Sequence, residues 1–153
     1  MKQEERISWD EYFLAIAKNI AMRGTCDRKQ VGYIVVKDKR VLTTGYNGSI
    51  SGLEHCSKSG HMMVEGHCVR TIHAEINAII QAAKHGINID GATMYGTWGP
   101  PCWYCFKAVA NAGIKKIVYI DSTDEAHDFS LCTSTAEKLG IELFQLKLAT
   151  DEK

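Results

Sequence analysis

Proline is nearly missing from this chain: only Pro100 and Pro101 occur among 153 residues, side by side just before Cys102. Net charge is missing too. Lys plus Arg and Asp plus Glu number 18 each, so no overall field draws the molecule toward nucleic acid or a membrane surface. No apolar run approaches the roughly 20 residues that a membrane-spanning helix needs. Residues 1–10 are charged and have no apolar h-region, which speaks against a secretory signal and makes the cytoplasm the expected compartment. No repeat or low-complexity segment occurs. What is present is ordinary for a soluble globular protein, with 45% hydrophobic and 24% charged residues. The length suits a single domain, 1–153, that can bury a core without disulfides. Six cysteines in such a chain point to metal ligands or reduced core thiols.

Ser8 with Glu11 three residues later fits a capping box, and Trp9, Tyr12, Phe13, Ile16, Ala17 and Ile20 recur at helical spacing. A first helix over about residues 8–22 follows, stopped near Gly24. Residues 31–37 and 41–46 are rich in β-formers and are joined by Asp38-Lys39, which reads as a hairpin. Asn47-Gly48 then opens a polar stretch to about Thr71, rich in Gly, Ser, His and Cys. That stretch is too long for an idle loop, and a metal is one candidate for what orders it. Beyond it, helices over 72–84, 102–112 and 125–139 end at Gly86, Gly113 and Gly140 and alternate with strands over 92–97, 116–120 and 141–146. The order α-β-β-α-β-α-β-α-β predicts an α/β fold, a three-layer α/β/α sandwich around a mixed sheet of about five strands.

His73-Ala74-Glu75 opens one of these helices, and Pro101-Cys102-Trp103-Tyr104-Cys105 opens the next. Residues three apart on a helical turn face the same way, so Cys102 and Cys105 can reach one ion. Pro101 suits a helix start, and the positive end of the helix dipole favours thiolates over thiols there. Alone, Cys-x-x-Cys also fits a redox pair or half of a structural site, and His-x-Glu arises by chance on solvated helix faces. Together, H-x-E followed by P-C-x-x-C is the signature of the zinc nucleoside and nucleobase deaminases. Three protein ligands leave a fourth position for water, the catalytic pattern, and zinc lowers the pKa of such a water to near 7. Glu75 is then placed to carry the water's proton to the ring nitrogen and on to the leaving ammonia.

The longer segment His73-Ala74-Glu75-Ile76-Asn77-Ala78-Ile79, with Gly45-Tyr46-Asn47-Gly48-Ser49 and Arg23-Gly24-Thr25-Cys26 before it, resembles deoxycytidylate (dCMP) deaminases, the bacterial competence-operon and phage forms above all. The likeness runs from residue 7 to about residue 143. It implies the cytidine deaminase-like fold, hydrolysis of dCMP to dUMP and ammonia, and a homohexamer activated by dCTP and inhibited by dTTP, with magnesium accompanying the triphosphate. It also implies substrate contacts from Asn47, Ser49 and Ala74, and phosphate-binding cations, for which Arg23 and Lys84 are the candidates. Read from the residues alone, Asn47-Gly48 is also the commonest hairpin turn, and either cation also fits a solvated surface charge.

Relatives of this type carry a second, structural zinc, and Cys26, Cys56, His61 and Cys68 resemble its ligands, with His67 the substitute. Four such residues would close a tetrahedral site and tie the long polar stretch to the first helix. Two features depart from the pattern. The step from Thr97 to Cys102, through Trp98, Gly99 and the two prolines, is one residue longer than in relatives and can reshape the pocket floor. A tyrosine that relatives carry after the fourth strand is replaced by Asp121-Ser122-Thr123-Asp124-Glu125, with His127 and Phe129 beyond. A deaminase for another cytosine nucleotide, or for a free base such as guanine, is the nearest alternative. A zinc-stabilised binding protein is a third reading, against which Glu75 speaks, because a purely structural site has no use for that acid. The zero net charge and lack of a basic stripe disfavour a nucleic acid substrate.

Overall fold

The computed structural model describes residues 5–121 and 129–148. Its first helix, α1 (Trp9–Ala21), opens as the sequence predicts: the Ser8 hydroxyl accepts from the Glu11 backbone N–H at 3.2 Å, and the Ser8 N–H donates to the Glu11 carboxylate at 2.9 Å. β1 (Gly32–Lys37) and β2 (Arg40–Tyr46) form the expected hairpin. Asp38 and Lys39 take φ of 51° and 59° in its two-residue turn, the backbone twist that a tight hairpin demands.

The polar stretch is ordered by short elements. β3 (Gly48–Ser49) pairs with β6 (Thr71–Ile72), α2 covers Cys56–Ser59, and β4 (Met63–Val64) pairs with β5 (His67–Cys68). There follow α3 (Ala74–His85), β7 (Thr93–Trp98), α4 (Trp103–Asn111), β8 (Lys116–Asp121), α5 (Ser130–Leu139) and β9 (Glu142–Gln145). The start expected for the last helix, 125–128, lies outside the described residues. Gly86 and Gly140 stop α3 and α5 in the left-handed conformation, as glycine after a helix does.

The main sheet has five strands in the order β2-β1-β7-β8-β9. β1 runs antiparallel to both of its neighbours, whereas β7, β8 and β9 are parallel. This is the mixed sheet and α/β architecture expected. Alternation along the strands gives the sheet two apolar faces. Ile34, Val36, Tyr95 and Val118 pack against Phe13, Leu14 and Ala17 of α1. Tyr33, Val35, Met94 and Ile117 face α3, α4 and α5 through Ala78, Phe106, Val109 and Ala136. Thus one helix covers one face and three cover the other. A Cβ on Gly45 of β2 would run into the Ala74 carbonyl and the Ala78 N–H, so the lack of a side chain there lets the first turns of α3 lie directly on the sheet. Among the described residues, no helix is long and apolar enough to cross a membrane.

Candidate active site

Two helix N-termini converge beyond the ends of β1 and β7. His73 is the N-cap of α3 and Cys102 the N-cap of α4, each in extended backbone. The His73 ring points across the gap to the sulfurs at the start of α4. His73 Nδ1 lies 3.3 Å from Cys105 Sγ and 3.7 Å from Cys102 Sγ. A tetrahedral zinc with bonds of about 2.3 Å to sulfur and about 2.0 Å to nitrogen sets N···S edges of about 3.5 Å. The donor set and its spacing fit that ion. Cys102 departs slightly from expectation by preceding the helix, and Trp103 is its first residue.

Charge is arranged to suit a metal. The hydrogen bond from Cys105, with His73 adding to it, holds the Cys102 thiol down to about 4. The Cys105 thiol is raised by the same bond and by burial. Cys102 in turn raises His73. Beneath the ligands, Pro101 is fully buried and its carbonyl accepts from the Cys132 thiol at 3.3 Å.

Glu75 sits in the first turn of α3 and is only 7% exposed. Burial pushes its carboxyl up to about 7, against the opposing pull of its own backbone N–H and of His73. It opens with Ala74 and His73 into a cavity of about 280 Å³. The wall of that cavity also includes Asn47, Thr71, Trp98, Pro100, Cys102 and Phe129.

Of the substrate-contact candidates, Asn47 and Ala74 lie on this wall. Asn47 is 7% exposed, with Oδ1 accepting from the Val31 N–H at 2.8 Å and Nδ2 donating to the Lys29 carbonyl at 2.7 Å. Ser49 lies off the wall, where its N–H donates to Thr25 Oγ1 at 3.0 Å. Arg23 and Lys84 are exposed and are not wall residues either. Lys84 belongs to the last turn of α3, roughly 13 Å along the helix from Glu75 at about 1.5 Å per residue. The cations on the wall are instead Arg28 and Lys29, which the sequence reading passed over. The signal available was their position, two and three residues after Cys26 and just ahead of β1. The Lys29 ammonium lies over the Trp98 ring, and Trp98 and Pro100 bring the step before Cys102 onto the wall.

Cys26, Cys56, His61 and Cys68 form a second cluster, their ligand atoms all within 4.8 Å of one another. Cys56 and Cys68 are 3.7 Å apart at sulfur, and Cys26 Sγ is 3.6 Å from His61 Nδ1. His67, the substitute, is not in this group and lies on the cavity wall. Burial and the neighbouring thiols push Cys56 up to about 12. Burial acts to raise Cys68 as well, but the Arg70 N–H, His61 and the Met62 N–H outweigh it and bring that thiol down to about 6.

The family model for the cytidine and deoxycytidylate deaminase zinc-binding region matches residues 7–121. The chain belongs to that family. It is accordingly an enzyme with a zinc-binding deaminase domain, and both clusters fall within the matched segment. ComE operon protein 2 of Bacillus subtilis is 44% identical over 144 residues, covering 94% of this chain and 74% of that protein. The deoxycytidylate deaminase of Mycobacterium phage D29 is 40% identical over 126 residues, covering 74% of this chain and 95% of the phage enzyme. The crystal structure of dCMP deaminase from the cyanophage S-TIM5 in complex with dCMP and dUMP aligns with a TM-score of 0.74 at 30% identity, covering 97% of this chain and 99% of that one.

Proposed function

We propose that this deaminase hydrolyses dCMP to dUMP and ammonia. The observation that carries the reading is the buried Glu75 carboxyl beside the His73–Cys102–Cys105 group, in a cavity whose wall also holds Arg28 and Lys29. The names of the phage, yeast and human relatives and the dCMP–dUMP complex of the cyanophage enzyme support the same substrate.

His73 Nδ1 and the Cys102 and Cys105 sulfurs hold the zinc, which when bound supplies a Lewis acid that eases ionisation of a water. The Glu75 carboxylate takes a proton from the attacking water and passes it to N3 of the cytosine. As the amine departs, the proton still carried by the attacking oxygen goes through Glu75 to the nitrogen. The water's oxygen ends on C4 and the amine leaves as ammonia, so atoms balance. A carboxyl shielded from bulk water gives and takes protons near neutral pH without solvent competing for them. Arg28 and Lys29 meet the 5′-phosphate in place of Arg23 and Lys84. Asn47 holds the backbone of that basic segment and keeps an N–H for the sugar, since only one of its two has a partner among the bonds above.

Cys26, Cys56, His61 and Cys68 hold a second zinc of structural kind, because four protein donors leave no position for water. The likeness to deoxycytidylate deaminases further supports a cytoplasmic homohexamer activated by dCTP and inhibited by dTTP, with magnesium on the triphosphate. Ammonia release across dCMP, dCTP, deoxycytidine and guanine tests the substrate. The highest kcat/KM is expected for dCMP, and a preference for dCTP or guanine moves the assignment to that compound.

A further inference from the structure

The segment from Cys26 to Val31 is tied down residue by residue. Cys26 gives its thiol to the second cluster. Asp27 Oδ1 lies 3.0 Å from His61 Nε2, on the far side of the ring from the cluster. Arg28 Nη1 donates to Met63 Sδ at 3.3 Å, and the Lys29 carbonyl and Val31 N–H are both held by Asn47. The segment is thus a strap anchored at one end by a Cys/His cluster and at the other by a buried amide. Arg28 and Lys29, between those anchors, face the substrate cavity, and Cys26 and Cys68 are shared by the cluster and the cavity wall.

A neutral imidazole carries one N–H. Donating it from Nε2 to Asp27 leaves the Nδ1 lone pair directed at the cluster, 3.6 Å from Cys26 Sγ. Without the carboxylate the ring is at liberty to hold its proton on Nδ1, where it cannot ligate. Carboxylates that orient a ligating histidine in this way strengthen metal binding by about 10–100-fold. The Asp27 side chain is 68% exposed, which screens the interaction and favours the lower end.

We propose that Asp27 is a positioning residue for the second cluster, and that through the Cys26–Lys29 strap it sets the two cations of the cavity wall. The inference rests on the second-zinc reading given above. Asp27 is itself off the cavity wall, so its removal deletes no direct substrate contact.

Zinc release from the intact protein to a colorimetric chelator, followed beside steady-state kinetics on dCMP, tests this. The wild type is expected to release two zinc ions per chain in two phases. Asp27→Ala speeds the phase belonging to the second cluster about tenfold and leaves the other unchanged. Its KM for dCMP rises by a larger factor than its kcat falls. Asp27→Asn, which keeps an acceptor oxygen, restores much of both. Wild-type protein that holds one zinc overturns the second site and this inference together. Two zincs with an unaltered release rate in Asp27→Ala overturn Asp27 alone. Faster release with an unchanged KM overturns the coupling through the strap.

Discussion

Glu75 joins two properties that rarely coincide in a surface helix: it stands in the first turn, where a carboxylate suits the helix dipole, yet burial pushes it up to about 7. A solvated carboxylate at that position would be a weaker base and would take the water's proton less readily. Glu75→Gln keeps the size and polarity of the side chain but cannot shuttle a proton. Its kcat is expected to fall by at least about 100-fold with zinc content unchanged, checked by turnover and metal analysis. Arg28 is read through its cavity position. Arg28→Gln should raise KM for dCMP roughly tenfold or more, the worth of a charged hydrogen bond, and leave deoxycytidine kinetics nearly unaltered. Equal effects on both substrates remove the phosphate role. His73, Cys102, Cys105 and Glu75 were legible because the two motifs occur together, and the second cluster was legible only through the family resemblance. Arg28 and Lys29 were not, because which of many basic side chains faces a cavity is settled by how Asn47 holds the strap, a long-range bond with no sequence pattern.

Elements matter here by bringing helix starts to one place. Gly45 allows α3 to lie on β2, and a methyl group there meets backbone that cannot move without carrying His73 and Glu75 with it. Gly45→Ala is therefore expected to lower the melting temperature, at about 1–3 kcal/mol for an overpacked contact, and to weaken zinc retention. At the other end of the chain, the Glu11 carboxyl is lowered by the Ser8 backbone N–H first and its side chain second. A folded-state pKa below the unfolded value gives stability that is present above the unfolded pKa and lost as pH falls through the folded one. The stability difference between wild type and Glu11→Gln should accordingly be visible at about pH 6 and shrink toward about pH 3, followed by thermal melts. The helices and hairpin were readable from periodicity, Asp38-Lys39 and the stopping glycines. The short pairs β3–β6 and β4–β5 were not, since two-residue strands have no period to detect; β5 carries Cys68 of the Cys/His cluster, and β6 runs into His73.

At the scale of the molecule, antiparallel β2-β1-β7 and parallel β7-β8-β9 divide the labour. The parallel half, with its crossover helices α4 and α5 on one face, aims the start of α4 at the same gap that α3 reaches from the antiparallel half. The order of the four longer helices and of the five strands of the main sheet followed from the sequence. The lopsided layering, with α1 alone on one face, did not, because each helix shows an apolar stripe without showing which side of the sheet it will cover. The step from Thr97 to Cys102 reaches the cavity wall through Trp98 and Pro100. The central claim is hydrolysis of dCMP through Glu75, and it is tested most directly by turnover in water enriched in oxygen-18. One ammonia should be released per dUMP formed, with one labelled oxygen at C4, and Glu75→Gln should form both at least about 100-fold more slowly. Absence of dUMP, label-free dUMP, or undiminished turnover by Glu75→Gln would contradict it.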